Sequence, residues 1–351
     1  MTDSQFQVGF SADFLDDSRR LVFPDIGLSL LEQDARVAYR FLDDYRPEYA
    51  PGQLTGLDAL ISLKPRVTAA SLEGIEQLCA IGRCGVGYDN VDLHACTERD
   101  IAVYITPGGV TRPMGESIVL LVLALSHDLV RKDRLMRQGR WSESTHPLGR
   151  EPRDRVIGTI GLGNIAREAV KLLKPFGPGR IHAFDPYVPA EDVRALGVEP
   201  VSLDELLAQS DYVLVNCPLN PQTRHLVGER ELKLMKPDAV LVNTSRGPTV
   251  DEAALTRALQ EKWIRAAALD VFEKEPLDPA SPLLQLDNVI LTSHSVGWTE
   301  ELFRDMGRID CEGALAVSRG NPPANVVNPA VLTRPGFLRK LDAYRAQSSG
   351  R

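Results

Sequence analysis

Cysteine and long apolar runs are both scarce in this 351-residue chain. The five cysteines, Cys79, Cys84, Cys96, Cys217 and Cys311, are odd in number and form no CxxC pair. That spacing offers neither a zinc site nor a disulfide framework, and reads as reduced thiols in a cytoplasmic protein. The most apolar run, SIVLLVLAL at 117–125, is far short of the ~20 residues a membrane span takes. The stretch MTDSQFQVGFSADFLDD is acidic and has no apolar core, so no secretory signal and no membrane partner are expected. Basic excess is missing too. With 40 Lys and Arg against 48 Asp and Glu, the net charge is −8, which argues against a nucleic-acid partner. A small anionic ligand stays open, because a pocket can be locally positive on an acidic protein. There is no internal repeat and no low-complexity tract.

What is present is ordinary globular composition, 43% hydrophobic and 25% charged, in a chain long enough for two domains. Short apolar runs predict strands at 7–10, 59–63, 78–81, 103–105, 156–160, 181–184, 212–215, 240–242, 267–269 and 289–291. Amphipathic stretches such as SLEGIEQL, IAREAVKLLKPF, SLDELLAQ and DEAALTRALQEK lie between them. Strands alternating with helices in this way mean βαβ units and parallel sheets. Residues 113–141 read as one long helix, with Pro113 in its first turn and Gly139 at its end. From Ile118 to Leu125 every residue is apolar, so two turns of that helix have no solvated face and are expected to be buried on all sides. A core helix between domains and a helix shared across a two-fold dimer interface both satisfy this. The polar tail after Pro329, ending AQSSGR, is expected to fray.

One loop carries a recognisable ligand logic. Gly161-x-Gly163-x-x-Ala166 follows the predicted strand at 156–160 and opens a helix at Asn164. Gly161 permits the tight turn, Gly163 lets backbone approach a pyrophosphate, and Ala166 is small enough for the helix to pack on the strand. The free N–H groups and partial positive charge of the helix start then face the phosphates. Asp185 ends the next strand, 22 residues after Gly163 (185 − 163). A carboxylate there suits a ribose hydroxyl pair and repels a 2′-phosphate, so NAD is expected rather than NADP.

Three further strand ends bear charged or titratable groups. VLVNTSRGPTVDE places Arg246 after a buried strand, ALDVFEKEP places Glu275, and LTSHSVGWTEE places His294. Each has a plain alternative: Arg246 paired with Asp251 or Glu252, Glu275 in a charged loop, His294 a structural histidine. Together they match what hydride chemistry asks for. Histidine titrates near neutrality and exchanges the hydroxyl proton. A neighbouring carboxylate orients the imidazole and favours its protonated form. A guanidinium grips a carboxylate in two-pronged fashion. Carboxyl ends of parallel strands share one edge, where these groups would meet.

With GLGNIAR, NCPLNPQTRHLV, VNTSRGPTVDE, ALDVFEKEP and LTSHSVGWTEE, joined by IGRCGVGYDNVDL and TPGGVTRPMGE, the chain resembles the D-isomer-specific 2-hydroxyacid dehydrogenase family over most of residues 55–325. The resemblance implies an α/β fold of two Rossmann-like or flavodoxin-like parallel-sheet domains with the active site in the cleft between them. Residues 1–116 and 301–335 would form the substrate domain, 117–300 the NAD-binding domain, and 336–351 a polar tail. It also implies the catalytic set Arg246, Glu275 and His294, and a substrate carboxylate held by Arg246 and the backbone of Val86 and Gly87. Its cofactor-binding residues would be Gly161, Gly163, Asn164, Ile165, Asp185, Cys217, Pro218, Thr223, Thr244, Asp270 and Gly297. No metal is implied. The expected activity is NAD-dependent interconversion of a D-2-hydroxy acid and a 2-oxo acid, of glyoxylate or hydroxypyruvate type or of 3-phosphoglycerate type, in a cytoplasmic homodimer. The alternative is an NAD(H)-sensing binding protein of the corepressor type. Arg112, Lys64, Arg66 and Trp298 depart from or lie outside the family pattern; each reads as a surface residue or as a substrate contact.

Overall fold

The computed structural model describes residues 5–146 and 148–349. The chain forms two compact units, Met1–Val110 with Trp298–Arg351, and Thr111–Gly297.

The first unit is built on five strands, β1 (Phe6–Phe10), β2 (Val37–Phe41), β3 (Ala59–Ser62), β4 (Ala80–Arg83) and β5 (Ala102–Ile105). They pair in the order β2-β1-β3-β4-β5, all parallel. The central strand β3 is buried throughout, which is why ALIS shows no alternation. Leu42, Leu57, Leu60, Ile81 and Val103 fill one core of this unit. Helix Glu300–Ser318 also belongs to it; Thr299 caps its start by accepting from the Leu302 N–H at 3.1 Å, and Glu300 and Glu301 occupy the first turn.

The second unit holds β6 (Val156–Ile160), β7 (Arg180–Phe184), β8 (Glu199–Pro200), β9 (Tyr212–Val215), β10 (Val240–Asn243), β11 (Ala266–Leu269) and β12 (Val289–Leu291). Their order is β12-β11-β10-β9-β6-β7-β8, again all parallel. The order reverses between β6 and β9, the switch point where open parallel sheets take ligands at their carboxyl ends.

Four expectations need correction. Two strands, β2 and β8, were not foreseen; both are sheet edges. VAYRF has only Val37 fully buried and includes the exposed Arg40, while β8 is only two residues, one of them proline. The long helix is two helices, Pro107–Ser126 and Leu129–Arg137, broken at Asp128, whose φ is +52°. Pro107, not Pro113, takes the first helical position, and Pro113 lies inside. This helix has the length and composition of a membrane span, with half of that stretch buried in the fold. Nor is it buried on all sides: Leu120 is 55% exposed. Finally, the tail does not fray over its described length. Pro335–Ser349 is a helix whose Phe337 and Leu341 are buried. Lys340 Nζ donates to the carbonyls of Leu78, Arg99 and Asp100 at 2.8–3.2 Å, and the Tyr344 hydroxyl donates to Asp58 at 2.7 Å. Anchors at 337, 341 and 344 share one helical face, a spacing masked by the polar residues around them. Gly350 and Arg351 lie outside the described residues.

Candidate active site

Arg246, Glu275 and His294 leave the carboxyl ends of β10, β11 and β12, which are adjacent and in register through Asn243, Leu269 and Leu291. Asn243 turns the chain after β10. Its Oδ1 accepts from the Ser245 N–H at 3.0 Å and hydroxyl at 2.9 Å, while its Nδ2 donates to the Arg246 carbonyl at 3.1 Å. Gly247 follows because nothing larger fits. A Cβ there would lie 1.9 Å from the Phe272 carbonyl carbon and 2.5 Å from the Glu273 nitrogen. The Arg246 turn is thus pressed against the backbone that delivers Glu275.

From that backbone the Phe272 N–H donates to Glu275 Oε1 at 3.0 Å, and Glu275 Oε2 meets His294 Nδ1 at 2.8 Å. His294 adopts φ +55°, in the left-handed region a histidine seldom enters, with its N–H bound to the Asp270 carbonyl at 2.8 Å. Asp270, 1% exposed, holds this turn from below: Oδ1 accepts from the Thr292 hydroxyl and from the Ser295 and Val296 N–H groups at 2.6–3.1 Å. Burial pushes the Glu275 carboxyl up. The His294 hydrogen bond and charge, the Phe272 N–H and the Arg246 guanidinium outweigh it and hold the group below the usual carboxylate range. With Nδ1 tied to an ionised carboxylate, Nε2 is the nitrogen left to exchange a proton. Asp251 accepts from the Ala254 N–H as a helix cap, Glu252 accepts from the Glu273 N–H, and the Arg246 guanidinium donates to the Ser245 carbonyl at 2.8 Å.

Sequence reasoning missed a second pair on the same loops. His225 Nε2 lies 2.7 Å from Glu273 Oε1, and Glu273 and Glu252 exchange backbone hydrogen bonds with each other's carboxylates. Nothing local marks His225; it becomes a neighbour only once the loops after β9 and β11 meet.

The glycine loop fits a dinucleotide. Gly161 has φ +91°, and a Cβ on it would meet the Cys217 nitrogen at 2.9 Å. A Cβ on Gly163 would meet nothing within 4 Å, so the backbone there faces open space where a phosphate could approach. The helix Asn164–Leu173 starts directly after it, with Asn164 and Ile165 among its unpaired first-turn donors. Asp185 Oδ2 accepts from the Leu162 N–H and Oδ1 from the Tyr187 N–H, at 2.8 and 2.9 Å, which aims the carboxylate and leaves each oxygen a further lone pair. Cys217 and Pro218 follow β9, Thr244 follows β10, and Gly297 closes the His294 turn. Burial pushes the Cys217 thiol up to about 11, so it is chemically quiet. The Thr223 hydroxyl is spent inside its own turn, donating to Pro218 O at 2.6 Å. Asp270, expected among the cofactor residues, has its Oδ1 committed to the histidine turn.

In the first unit, Val86 and Gly87 lie on the loop after β4. Its root is fixed by Thr106, whose hydroxyl accepts the Gly85 N–H at 2.8 Å, and by the Cys84 N–H donating to Ser62 O at 2.9 Å. Among the described residues the N–H groups of Val86 and Gly87 make no hydrogen bond. Arg112, by contrast, is bound to Glu116 at 2.5 Å and Glu168 at 2.9 Å on an exposed helix face.

Parallel α/β units, a glycine loop at a switch point and an Arg-Glu-His edge define a nicotinamide-dependent oxidoreductase of hydroxy acids. Residues 119–296 match the family model for the D-isomer specific 2-hydroxyacid dehydrogenase NAD binding domain. The glyoxylate reductase of Korarchaeum cryptofilum is 37% identical over 326 residues, covering 90% of this chain and 96% of that protein. The D-3-phosphoglycerate dehydrogenase of Methanocaldococcus jannaschii is 41% identical over 264 residues, 75% of this chain but only 50% of that protein. The solved NADPH-dependent glyoxylate/hydroxypyruvate reductase of Sinorhizobium meliloti, in complex with NADP and malonate, superposes with a TM-score of 0.79 at 26% identity, covering 92% of this chain and 97% of that one. The chain belongs to the D-isomer-specific 2-hydroxyacid dehydrogenase family. It is an enzyme that acts on the CH–OH group of 2-hydroxy acids with a nicotinamide cofactor, and the corepressor-type alternative finds no support among these relatives.

Proposed function

We propose that this chain reduces a small 2-oxo acid to the D-2-hydroxy acid, or runs the reverse, with NAD(H). The observation that carries the reading is the 2.8 Å Glu275–His294 pair beside Arg246 at one edge of three adjacent strands. Arg246, a planar fork suited to two-pronged anion binding, and the two backbone N–H donors of Val86 and Gly87 hold the substrate carboxylate. The nicotinamide ring, when bound, supplies or takes the hydride at the substrate's second carbon. His294 Nε2 gives its proton to the carbonyl oxygen in reduction and takes it back in oxidation. Glu275 stabilises the imidazolium through Nδ1 and fixes the ring's direction. Asp185 supports NAD over NADP, since a 2′-phosphate would face its carboxylate. Glyoxylate, hydroxypyruvate and the 2-oxo acid derived from 3-phosphoglycerate are the candidate substrates, after the relatives named above.

Leu120, Leu129, Val130, Met136, Trp141 and Leu148 are all exposed within one stretch of the second unit, a concentration of apolar surface that supports a homodimer through this face. Five unpaired buried cysteines fit a reducing compartment such as the cytoplasm. The test is absorbance-monitored oxidation of NADH and, in parallel, NADPH against a panel of 2-oxo acids. Turnover at least ~10-fold more efficient with NADH is expected; no turnover on any acid sinks the reading, and preference for NADPH sinks the role of Asp185.

A further inference from the structure

We propose that Lys64, held over the ring of Trp298, is a specificity-determining residue that selects 2-oxo acids bearing a second anionic group, carboxylate or phosphate, at the end remote from the reacting carbon. The inference deepens the dehydrogenase reading above and rests on it.

Strands β3 and β4 are parallel neighbours, with Ser62 opposite Arg83. Past this pair, one chain continues as Leu63-Lys64-Pro65 and the other as Cys84-Gly85-Val86-Gly87. The two loops are stitched together. Asn90 Nδ2 donates to the carbonyls of Lys64 and Pro65, each at 3.2 Å, and the Val67 N–H donates to Asn90 O at 2.9 Å. On its other side, the Lys64 N–H donates to Asp13 Oδ2 at 3.0 Å, from the segment that follows β1. Lys64 therefore has its backbone pinned from both directions, alongside the loop that offers the Val86 and Gly87 N–H groups.

Its side chain is held as well. The ammonium stands 5.2 Å from the centre of the Trp298 ring, within the range where a cation is attracted to an aromatic face. Trp298 is itself wedged edge-on against Phe23 at 5.6 Å and Phe303 at 5.2 Å, and those two rings stack on each other. Yet the ammonium makes no ion pair among the described residues, although the chain spends most of its other cationic side chains on carboxylates or carbonyls. A positive charge over an aromatic ring, with no ion pair among the described residues, on a loop hydrogen-bonded to the one that offers the Val86 and Gly87 N–H groups, is suited to a second anion. A substrate as short as glyoxylate has nothing to place there. A longer 2-oxo acid with a charged far end does.

The experiment compares kcat/KM for matched pairs of substrates that differ in distal charge: 3-phosphohydroxypyruvate against hydroxypyruvate, and 2-oxoglutarate against 2-oxopentanoate. The first pair reports a phosphate and the second a carboxylate. In the wild type, at least one charged member is expected to exceed its neutral partner by ~10-fold or more. Lys64→Met is expected to collapse that ratio to within ~3-fold of unity, chiefly through KM. Lys64→Arg should restore at least half of the ratio. Arg66→Met, which removes another exposed cation two residues away, should leave the ratio in place, separating a local contact from general attraction of anions. The proposal is overturned if neither charged substrate is favoured, if Lys64→Met leaves the ratio standing, or if Arg66→Met erases it equally. If the wild type reduces hydroxypyruvate but favours no charged tail, only this inference falls; if it reduces no 2-oxo acid at all, the dehydrogenase reading falls and this inference with it.

Discussion

Two aspartates, one in each unit, are equally hidden and oppositely treated. Asp270 is 1% exposed and its Oδ1 collects three hydrogen bonds from the turn that carries His294. Asp310, on helix Glu300–Ser318, is 0% exposed and neither carboxyl oxygen meets an N–H or O–H donor among the described residues. Burial pushes its carboxyl up to about 8, against a weaker opposing pull from the Cys84 thiol and the Arg83 guanidinium. Gly82 makes room for it: a Cβ there would lie 2.6 Å from Asp310 Oδ1. The difference teaches where this protein invests its polar groups. At the carboxyl edge of the seven-stranded sheet, Asn243 and Asp270 spend their polar atoms on the turns that carry Arg246 and His294. Near the carboxyl end of β4 in the five-stranded sheet, a carboxyl is tolerated by staying protonated.

The contrast can be broken most forcefully at the reacting end. His294→Ala should lower kcat by ~10²–10⁴-fold, with NADH affinity by fluorescence titration nearly unchanged; full turnover would mean the braced edge is not the catalytic one. Gly247→Ala comes next. Its new Cβ meets peptide backbone rather than a flexible side chain, so either the Arg246 turn or the Phe272 N–H beneath Glu275 must move. A loss of up to ~10²-fold in kcat/KM is expected, together with a lower melting temperature, and wild-type kinetics would show that the close approach does not position the site. The smallest effect belongs to Asp310. Its folded-state value lies above the ordinary 3.8, so between about 4 and about 8 the unfolded chain binds fewer protons than the folded one. Stability contributed by this group therefore falls as pH rises through that window and levels off above it. Urea unfolding at ~pH 5 and ~pH 9 should show the wild type losing more stability than Asp310→Asn, by at least ~1 kcal/mol. Parallel losses would mean that Asp310 is not held neutral.

Much of this was legible beforehand, for reasons visible in particular residues. β9, buried at every position, begins and ends where its apolar run does, because a strand covered on both faces of a parallel sheet has no solvated side; β6 and β12 match their runs as well. Arg246, Glu275 and His294 were legible as strand-end residues because the polarity change after each run is abrupt. Two of the edge strands were not: β2 carries the exposed Arg40 within it and β8 is two residues, so neither produces a run. The tail helix hid its anchors, Phe337, Leu341 and Tyr344, among polar neighbours. The single long helix failed at Asp128, where the ion pair to Arg265 at 2.9 Å is 137 residues away in sequence and no local signal announces it.

By itself, then, the chain's order of residues decided the class of fold, the place of the glycine loop and the identity and order of the candidate reacting groups. These follow from short-range facts: the length of apolar runs, the spacing of glycines, and the residue that stands where each run stops. Tertiary structure alone decided how those groups are aimed. Phe272 turns its N–H to Glu275, Asp270 gathers the histidine turn, and Gly247 lets two backbones touch. The Asp270 and Gly247 contacts join segments more than twenty residues apart, and they exist only once parallel strands in register have brought their carboxyl ends to a common edge; the Phe272 bond closes locally, within the loop that it orients.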